Sequence, residues 1–270
     1  MDSTTIKFTQ LNCNRRVATT CGLEVKKNEI YLLQEPRCND NGFVDVAKKN
    51  KCFAKKNTRA AIYAPNLVDA SIMAVDNLIS KDCSVALLEN PALGKPVLIA
   101  SIYCHQEKNA VTDDLTKLIK YADDHRLPLI MGGDVNAWSS MWYMPRENAR
   151  GKDLEAFLLG NGINIKNTHE VATRIDPRNN SWSIIDITGT RGLTNDIKNW
   201  HVESSAFISD HKPIHFDLDI SKNIHKKKIR GYKKVDWNKF KTMVDERCPK
   251  IKSLNNWWSE SDIELSLIHI

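Results

Sequence analysis

The sequence predicts an α/β sandwich, in which many short strands alternate with a few helices. Short apolar, β-branched runs recur along the first 220 residues, and most have the four to eight residues of a strand. Several of these runs are apolar almost throughout, which indicates that both faces of the strand are buried. Amphipathic helical patterns lie between the runs, and a chain of 270 residues with 41% apolar residues can bury a large core.

Eight runs have the pattern of strands, and they cover residues 6–12, 29–35, 59–64, 84–89, 96–104, 127–134, 182–188 and 212–218. Two segments have helical spacing instead. In 112–122, apolar residues recur at i, i+3, i+4 and i+7, and Thr112 is the expected N-cap. In 151–163 a similar pattern ends in Gly-Asn-Gly, a typical signal for the C-terminus of a helix.

The strand pattern stops near residue 220, where a basic segment begins. Residues 222–234 contain seven Lys or Arg and no acid, so this segment holds the positive charge of a chain whose net charge is +6. We therefore expect one domain over residues 1–220, then a basic linker and a partial helical segment over 221–270, with a helix near 236–247. The basic run is either a solvated linker, which composition favours, or a contact for nucleic acid.

The composition excludes several classes of protein. No apolar run approaches the length of a membrane span, and the N-terminus lacks the basic and then apolar pattern of a signal peptide. The seven cysteines are odd in number and include no CxxC pair. This pattern argues against a zinc site or a disulfide framework, and it favours reduced thiols in an intracellular compartment.

Two acidic motifs lie about ten residues apart. The motif Tyr-Ala-Asp-Asp at 121–124 spells the metal-binding signature of a reverse transcriptase, but it continues a helical pattern rather than a hairpin. We interpret Asp123 and Asp124 as a solvated helix end. The motif Gly-Gly-Asp-Val-Asn at 132–136 ends a buried strand, where α/β folds place ligands and catalysts. Asp134 and Asn136 would point the same way on an extended segment.

Other apolar runs also end in polar residues, namely Asn12, Glu35 and Tyr103. Asp186 lies inside an apolar run, where an unpaired carboxylate would be costly. Asp210 and His211 stand just before the last strand, and a buried Asp beside a His is a common way to orient and charge an imidazole. So many polar strand ends in one chain predict a catalytic site.

Six short motifs follow one another along the chain: QLN at 10–12, QEP at 34–36, SIY at 101–103, GDVNA at 133–137, IDIT at 185–188 and SDHKPI at 209–214. As a set they resemble the endonuclease/exonuclease/phosphatase superfamily, which includes DNase I, exonuclease III and the apurinic/apyrimidinic (AP) endonucleases. Within it, residues 6–220 most resemble the AP-like endonuclease domain of non-LTR (LINE-type) retrotransposons.

The resemblance implies a DNase I-like, four-layer α/β sandwich, with two mixed β-sheets face to face and helices outside. It also implies Mg²⁺-dependent hydrolysis of a DNA phosphodiester, with Mn²⁺ as a possible substitute. The metal ligands that it implies are Glu35, with Asn12 and Asp210 near it. The implied catalytic residues are Asp134, Asn136, His211, Asp186 and Tyr103.

In the family pattern, Asp134 positions or deprotonates the attacking water, while Asn136 and Tyr103 contact the scissile phosphate. His211 stabilises the pentacovalent phosphorane or acts as the base, and Asp186 orients it. The expected DNA contacts are Arg37, Trp142, Arg191, Lys226, Lys227 and Lys228. Arg191 lies in a Gly-Thr-Arg-Gly stretch that is interpreted either as a turn reaching DNA or as a plain hairpin turn.

The function implied by the resemblance is a Mg²⁺-dependent endonuclease that nicks chromosomal DNA and leaves a 3′-hydroxyl primer for reverse transcription. The expected partners are double-stranded DNA, element RNA and a reverse transcriptase, in the nucleus and away from membranes. We expect the chain to be truncated before any reverse transcriptase domain. The alternatives are a cellular AP endonuclease in DNA repair, a decayed element that binds DNA without cutting it, and a phosphatase for lipid or inositol phosphates.

Overall fold

The computed structural model describes residues 5–23, 26–47, 50–64, 67, 70–193, 197–204 and 209–220, and beyond them 236, 238–239 and 241–242. The chain divides into two compact units, Met1–Ile224 and His225–Ile270. The strands and α-helices named below all belong to the first unit. Of the helix expected near 236–247, residues 238–239 and 241–242 are helical, and most of the remainder lies outside the described residues.

The described chain forms fourteen strands: β1 Thr5–Asn12, β2 Glu29–Gln34, β3 Lys51–Phe53, β4 Ala60–Ala64, β5 Ser71–Ala74, β6 Cys83–Glu89, β7 Val97–Tyr103, β8 Leu129–Asp134, β9 Asn164–Ile165, β10 Arg174–Ile175, β11 Trp182–Ser183, β12 Asp186–Arg191, β13 Ile197–Val202 and β14 Ile214–Asp219. Its three α-helices are α1 Val17–Cys21, α2 Asp113–Asp124 and α3 Ala149–Gly160.

These strands build two six-stranded sheets and one small hairpin. The first sheet has the order β13-β14-β1-β2-β4-β3, the second has the order β5-β6-β7-β8-β12-β9, and β10 pairs with β11. Each sheet is mixed, because β1 and β2 are parallel in the first, β7 and β8 are parallel in the second, and the other neighbours are antiparallel. The last strand, β14, pairs with the first, so the two ends of the domain meet in one sheet.

The two sheets pack face to face around one apolar core. Phe8 and Phe216 stack in the first sheet with ring centroids 4.9 Å apart, and they belong to the same buried cluster as Ile99 and Ile130 of the second sheet. Side chains alternate between the two faces of a strand. The opposite face of the second sheet therefore packs its own apolar side chains, such as Met131, against α2 and α3.

The covering of the two outer faces is unequal. The second sheet carries both long helices, whereas the outer face of the first sheet carries a smaller cluster that includes Leu11, Tyr31 and Tyr63. Among the described residues of the first unit, α1 is the only other α-helix. The sandwich expected from the sequence is confirmed, but its outer helical layers differ in size.

All eight predicted runs contain a strand, although residues 182–188 divide between β11 and the start of β12. Both predicted helices of the domain form, and the Thr112 hydroxyl accepts the Leu115 N–H at 3.2 Å, as an N-cap does. The sequence did not predict β3, β5, β9, β10 or β13, most of which are only two to four residues long. In the part of the chain that the structure describes, no helix is long and apolar enough to cross a membrane.

Candidate active site

The register of the strands brings polar side chains together at one end of the sandwich. Asp134 at the end of β8 pairs with Tyr103 on β7 and with Asp186 on β12. Asn12 ends β1, beside the end of β2 and close to Glu35. The Asn12 Nδ2 amide donates to Asp134 Oδ2 at 2.9 Å and thus joins the two sheets. Polar strand ends that are far apart in sequence therefore meet in one site.

A glycine allows this close approach of the sheets, because a Cβ atom at Gly132 would lie 2.4 Å from Gln10 Oε1 of β1. Gly133 has a different role within its own sheet, where a Cβ atom would lie 2.0 Å from a backbone oxygen of the neighbouring strand β7. Gln10 is fixed in turn by Thr188, whose hydroxyl donates to Gln10 Oε1 at 3.0 Å. Buried polar groups such as the Gln10 amide are costly unless they are hydrogen-bonded. The Thr188–Gln10 bond therefore favours the one arrangement of the two sheets in which it can form.

Asp134 is buried, and both of its carboxylate oxygens accept hydrogen bonds. Oδ2 accepts from Asn12, and Oδ1 accepts the backbone N–H of Asn136 at 3.0 Å. The latter bond closes a turn in which Asn136 has a φ of +46°, so the segment is not extended as we predicted. The Asn136 amide instead donates to the Cys104 oxygen at 3.2 Å. Its side chain therefore lies between the ends of β7 and β8.

Asp186 and His211 form a second buried pair in the same site. The His211 Nδ1–H donates to Asp186 Oδ2 at 2.9 Å, which leaves Nε2 directed toward Asp134. The distance from Nε2 to Asp134 Oδ2 is 3.9 Å, which is too long for a hydrogen bond. Nε2 is therefore available to a substrate oxygen.

The electrostatics of the cluster favour shared protons. Burial, and then the repulsion of Asp186, raise the pKa of Asp134 to about 7. Burial alone would lower the pKa of His211, but the carboxylates of Asp186 and Asp134 outweigh it and raise that pKa to about 9. At neutral pH the site therefore combines an imidazolium with a carboxyl group close to its own pKa. Shifts of this kind, in a group of partnered residues, are typical of catalytic sites.

Tyr103 lies beside Asp134 at the end of β7. Burial raises the pKa of the Tyr103 hydroxyl far above its usual range, and the carboxylates of Glu35 and Asp134 add to the effect. The hydroxyl therefore stays protonated and can donate a hydrogen bond to an anionic group. The Arg59 guanidinium lies 5.4 Å from the centre of the tyrosine ring and is held by Asp82, whose Oδ2 accepts at 2.7 Å. Arg59 was not predicted from the sequence.

Glu35 is the partly open carboxylate of the site. Its side chain is 21% exposed, and Arg15 Nε lies 3.6 Å from Oε1. Its backbone φ is +42°, a conformation that is unusual outside glycine and that concentrates at functional sites. Mg²⁺ prefers carboxylate oxygens and retains several waters, so a carboxylate that reaches solvent at the edge of the cluster suits it. The residues present therefore fit a hydrated divalent cation at Glu35.

Among the described residues, one group brings three possible ligand atoms within 4.8 Å of one another, and it consists of Asp134, Asp186 and His211. In this group His211 Nδ1 is already bonded to Asp186, and all three side chains are buried. Such a set of ligands, with an imidazole and little water, suits a transition metal better than Mg²⁺. The site can hold a divalent cation, and for Mg²⁺ the edge at Glu35 is the better place.

Asp210 has two partners that the sequence analysis missed. Asn14 Nδ2 donates to Asp210 Oδ1 at 2.6 Å, and Arg174 Nε donates to Oδ2 at 3.2 Å. Asn12 is also occupied, because its Oδ1 accepts the Asn14 N–H at 2.8 Å. Asp210 and Asn12 thus lie beside the cluster with their polar atoms engaged, which leaves Glu35 as the most accessible of the three predicted metal ligands.

Arg150 is another residue that the sequence analysis missed. It projects from α3, and its guanidinium donates to the backbone oxygens of Asn136 at 3.0 Å and of Val135 at 3.4 Å. It therefore fixes the turn that follows Asp134. No local pattern signals such a residue, because its partners are backbone atoms of a distant segment.

The structure corrects one of the predicted DNA contacts and the expected backbone setting of another. Trp142 is fully buried, and its indole N–H donates to the Ala137 oxygen at 3.3 Å, so it packs in the core and cannot touch DNA. Arg191 is not in a turn: it ends β12, at the opposite end from Asp186, and its guanidinium pairs with Asp123. Arg37 is exposed two residues after Glu35. Lys226, Lys227 and Lys228 lie outside the described residues.

The Tyr-Ala-Asp-Asp motif forms the last turn of α2, as the sequence analysis expected. Asp123 and Asp124 are about half exposed, at 52% and 53%. Asp124 pairs with Lys120 one helical turn earlier at 2.8 Å. This motif is a solvated helix end and takes no part in the buried cluster.

The fold and these motifs have counterparts among known proteins. A family model described as endonuclease-reverse transcriptase matches residues 97–215. The endonuclease domain of TRAS1, a telomere-specific non-LTR retrotransposon, aligns with 25% identity and a TM-score of 0.64, covering 81% of this chain and 100% of that one. A search among curated proteins found no significant match.

Two further structures share the fold at low identity. The catalytic domain of Xenopus laevis APE2 aligns with 11% identity and a TM-score of 0.56, covering 79% of this chain and 91% of that one. The AP endonuclease LMAP from Leishmania major aligns with 13% identity and a TM-score of 0.55, covering 81% of this chain and 89% of that one. At these identities the likeness concerns the fold alone.

Proposed function

Because the chain belongs to the endonuclease/exonuclease/phosphatase superfamily, we propose that it is a divalent-metal-dependent endonuclease that nicks double-stranded DNA and leaves a 3′-hydroxyl. The observation that carries the proposal is the buried cluster of Asp134, Asp186 and His211, placed by strand register at one end of the sandwich. The similarity to a retrotransposon endonuclease domain supports DNA as the substrate.

The proposed chemistry assigns separate tasks to the two sides of the cluster. Asp134, whose pKa is raised to about 7, orients the attacking water and accepts its proton as the new P–O bond forms. The bond from phosphorus to the 3′-oxygen breaks in the same displacement, and the departing oxygen takes a proton from solvent water, which gives a 3′-hydroxyl and a 5′-phosphate. His211, held protonated by Asp186, directs Nε2–H at an oxygen of the phosphate and stabilises the charge that grows there. A fixed donor in a buried site needs no reorganisation during the reaction, and this is why it lowers the barrier.

Two neutral donors complete the proposed phosphate site. The Tyr103 hydroxyl stays protonated and can donate to a non-bridging oxygen. The Asn136 side-chain amide has two N–H groups. One donates to the Cys104 oxygen, and the other can donate to the substrate. A Mg²⁺ ion held at Glu35 would neutralise charge on the phosphate and on the leaving oxygen. Mn²⁺ would serve as a substitute, because it also takes oxygen ligands.

In the biological setting that we propose, the nick is made in chromosomal DNA in the nucleus. The free 3′-hydroxyl would prime reverse transcription of an element RNA by a reverse transcriptase. The similarity to a domain of a non-LTR retrotransposon supports this setting. Cutting at abasic sites, as in repair, is the competing activity, and the choice of substrate in the experiment decides between the two.

The test is nicking of supercoiled plasmid by the full chain, with Mg²⁺ or with EDTA. We expect open circles with Mg²⁺ alone, and 3′ ends that a DNA polymerase extends without prior phosphatase treatment. Asp134→Ala and His211→Ala should remove the activity while circular dichroism stays unchanged. A folded wild type that cuts no intact DNA with Mg²⁺ or Mn²⁺ would refute the proposal, and faster cutting of an abasic duplex than of intact DNA would reassign it to repair.

A further inference from the structure

A second cluster of titratable side chains lies on the outer face of the first sheet and takes no part in the proposed hydrolysis. His201 on β13 and His215 on β14 are directly opposite each other, and their ring centroids lie 5.2 Å apart. Glu203 follows His201 by two residues, and its Oε2 lies 3.7 Å from His215 Nε2. Ile214 and Phe216 face the core between the sheets, so His215 between them faces outward.

A buried chain of hydrogen bonds fixes the ring of His215. The Thr9 hydroxyl donates to Glu29 Oε1 at 2.6 Å, and the Tyr31 hydroxyl donates to Glu29 Oε2 at 3.0 Å. Because the proton of the Thr9 hydroxyl is directed at Glu29, His215 Nδ1 must donate to the Thr9 oxygen, which lies 2.9 Å away. The lone pair of His215 therefore lies on Nε2 and points toward Glu203. A buried carboxylate, Glu29, thus sets the tautomer of a partly exposed imidazole.

His201, on the neighbouring strand, is also hydrogen-bonded through its Nδ1 atom. Its Nδ1 lies 2.8 Å from the backbone oxygen of Asn199, which leaves Nε2 on the outward side. Asn199 has a φ of +54°, and the register between β13 and β14 shifts between Lys198 and His201. Irregularities of this kind in a strand re-aim a side chain. Here the shift places His201 directly opposite His215.

We propose that His201, Glu203 and His215 bind a transition-metal dication of the zinc class. Two imidazoles with one carboxylate are a set of ligands typical of zinc, and metal-bound histidines usually donate their other ring N–H to a carboxylate, hydroxyl or carbonyl group behind them. In a tetrahedral zinc site, neighbouring ligand atoms lie about 3.4 Å apart, close to the 3.7 Å between Glu203 Oε2 and His215 Nε2. The ligand atoms of the three residues do not all lie within 4.8 Å of one another in the described structure. Because His201 is exposed, its side chain can turn toward the ion, and in doing so it gives up its bond to the Asn199 oxygen.

The expectation of no zinc site rested on the cysteines, and the donors here are histidines and a glutamate. The position gives the ion a defined effect on the fold. Glu203 N–H donates to the Pro213 oxygen at 2.8 Å, so the two strands meet at this point and the chain between them carries Asp210 and His211. A metal that joins His201 and Glu203 to His215 would brace the base of that segment.

The experiment is a Zn²⁺ titration of the full chain by calorimetry, in excess Mg²⁺, which competes poorly for imidazole nitrogens. We expect at least one equivalent of Zn²⁺, and one of these equivalents should persist in His211→Ala, which removes the imidazole ligand of the catalytic cluster. The same equivalent should persist in His125→Ala, a matched control on an exposed histidine at the C-terminal end of α2. The affinity should fall at least tenfold in His201→Ala and in Glu203→Gln. Removing the supporting hydroxyl in Thr9→Val should weaken binding by about 10–100-fold.

Co²⁺ gives a second readout that does not depend on activity, because its visible absorption reports tetrahedral nitrogen and oxygen ligands. We expect this spectrum in the wild type and in His211→Ala, and its loss in His201→Ala, whose exposed position leaves folding intact. Three results would overturn the proposal: no Zn²⁺ bound, unchanged affinity in His201→Ala, or binding that disappears with His211→Ala and so belongs to the catalytic cluster.

Discussion

Two pairs of aspartates have opposite environments in this fold. Asp123 and Asp124 close α2 with side chains 52% and 53% exposed. Asp134 and Asp186 face each other across β8 and β12 with side chains only 3% exposed. The first pair is neutralised by neighbouring cations in water, and the second is neutralised by a buried imidazole and shared protons.

The comparison shows that a carboxylate acquires chemistry from its surroundings and not from its motif. At the helix end, Lys120 and Arg191 pair with the two aspartates in high-dielectric solvent, where such pairs contribute little. In the cluster, burial and Asp186 raise the pKa of Asp134 toward neutrality, so that it can exchange a proton under working conditions. A four-letter match to a metal-binding signature therefore carries less information than the strand end beside it.

The largest predicted effect breaks the buried pair and leaves the exposed one as its control. Asp134→Asn should lower the plasmid nicking rate by about 10²–10³-fold, because an amide cannot accept the proton of water. Asp124→Asn makes the same change at the helix end and should leave the rate within about twofold of the wild type. Single-turnover rates with Mg²⁺ measure both. Equal losses in the two variants would mean that the helix end belongs to the active site.

A second pair of variants compares two tyrosines in the same manner. Tyr103→Phe removes a buried hydroxyl that we expect to donate a hydrogen bond to the phosphate. Because a hydrogen bond to a charged group is stronger than one between neutral groups, the nicking rate of this variant should fall about tenfold to a hundredfold. Tyr121→Phe removes the hydroxyl of the Tyr-Ala-Asp-Asp motif and should have no effect. The split between kcat and KM measured on a short duplex tells whether the Tyr103 contact forms in the transition state. An unchanged kcat/KM in Tyr103→Phe would contradict its proposed contact with the phosphate.

The third prediction concerns pH. In the wild type, kcat/KM should rise as Asp134 loses its proton near pH 7 and fall as His211 loses its proton near pH 9. Asp186→Asn removes the charge that raises both pKa values, so both limbs should move to lower pH. If the pKa of His211 falls to about 7, its protonated fraction at pH 8 drops about tenfold. Asp123→Asn is the matched control, and an unshifted alkaline limb in Asp186→Asn would exclude His211 as its source.

The strand-end positions of the cluster could be predicted from sequence because local patterns define them. An apolar run that is followed by Asp or Asn indicates that this polar side chain lies at the end of a buried strand. The pairing of β7, β8 and β12 then brings their polar terminal residues side by side. The partners could not be predicted in this way. Arg174 reaches Asp210 across 36 residues, and no periodicity distinguishes it from an ordinary surface arginine.

The wrong DNA contact at Trp142 and the wrong turn at Arg191 have a related physical cause. Trp142 ends the short 3₁₀ helix Ser140–Trp142, and a backbone oxygen accepts its single indole N–H, so the whole ring can be buried in the core. The glycines around Arg191 suggested a turn, yet a Cβ atom at Gly189 would lie 2.8 Å from Ile163 Cγ2, so this glycine permits close packing inside β12. Burial depends on partners that the local sequence does not contain.

The smallest predicted effect concerns the stability of the exposed pair. Asp123→Asn removes the partner of Arg191, whose side chain is 27% exposed. Because solvent screens the pair, the free energy of unfolding should fall by less than about 1 kcal/mol, and the difference should shrink further at high salt. Urea denaturation of Asp123→Asn, Arg191→Gln and the double variant measures the coupling between them. A coupling of about 3–5 kcal/mol, typical of a broken buried pair, would mean that this helix end is electrostatically as enclosed as the strand ends and that the distinction drawn between them is wrong.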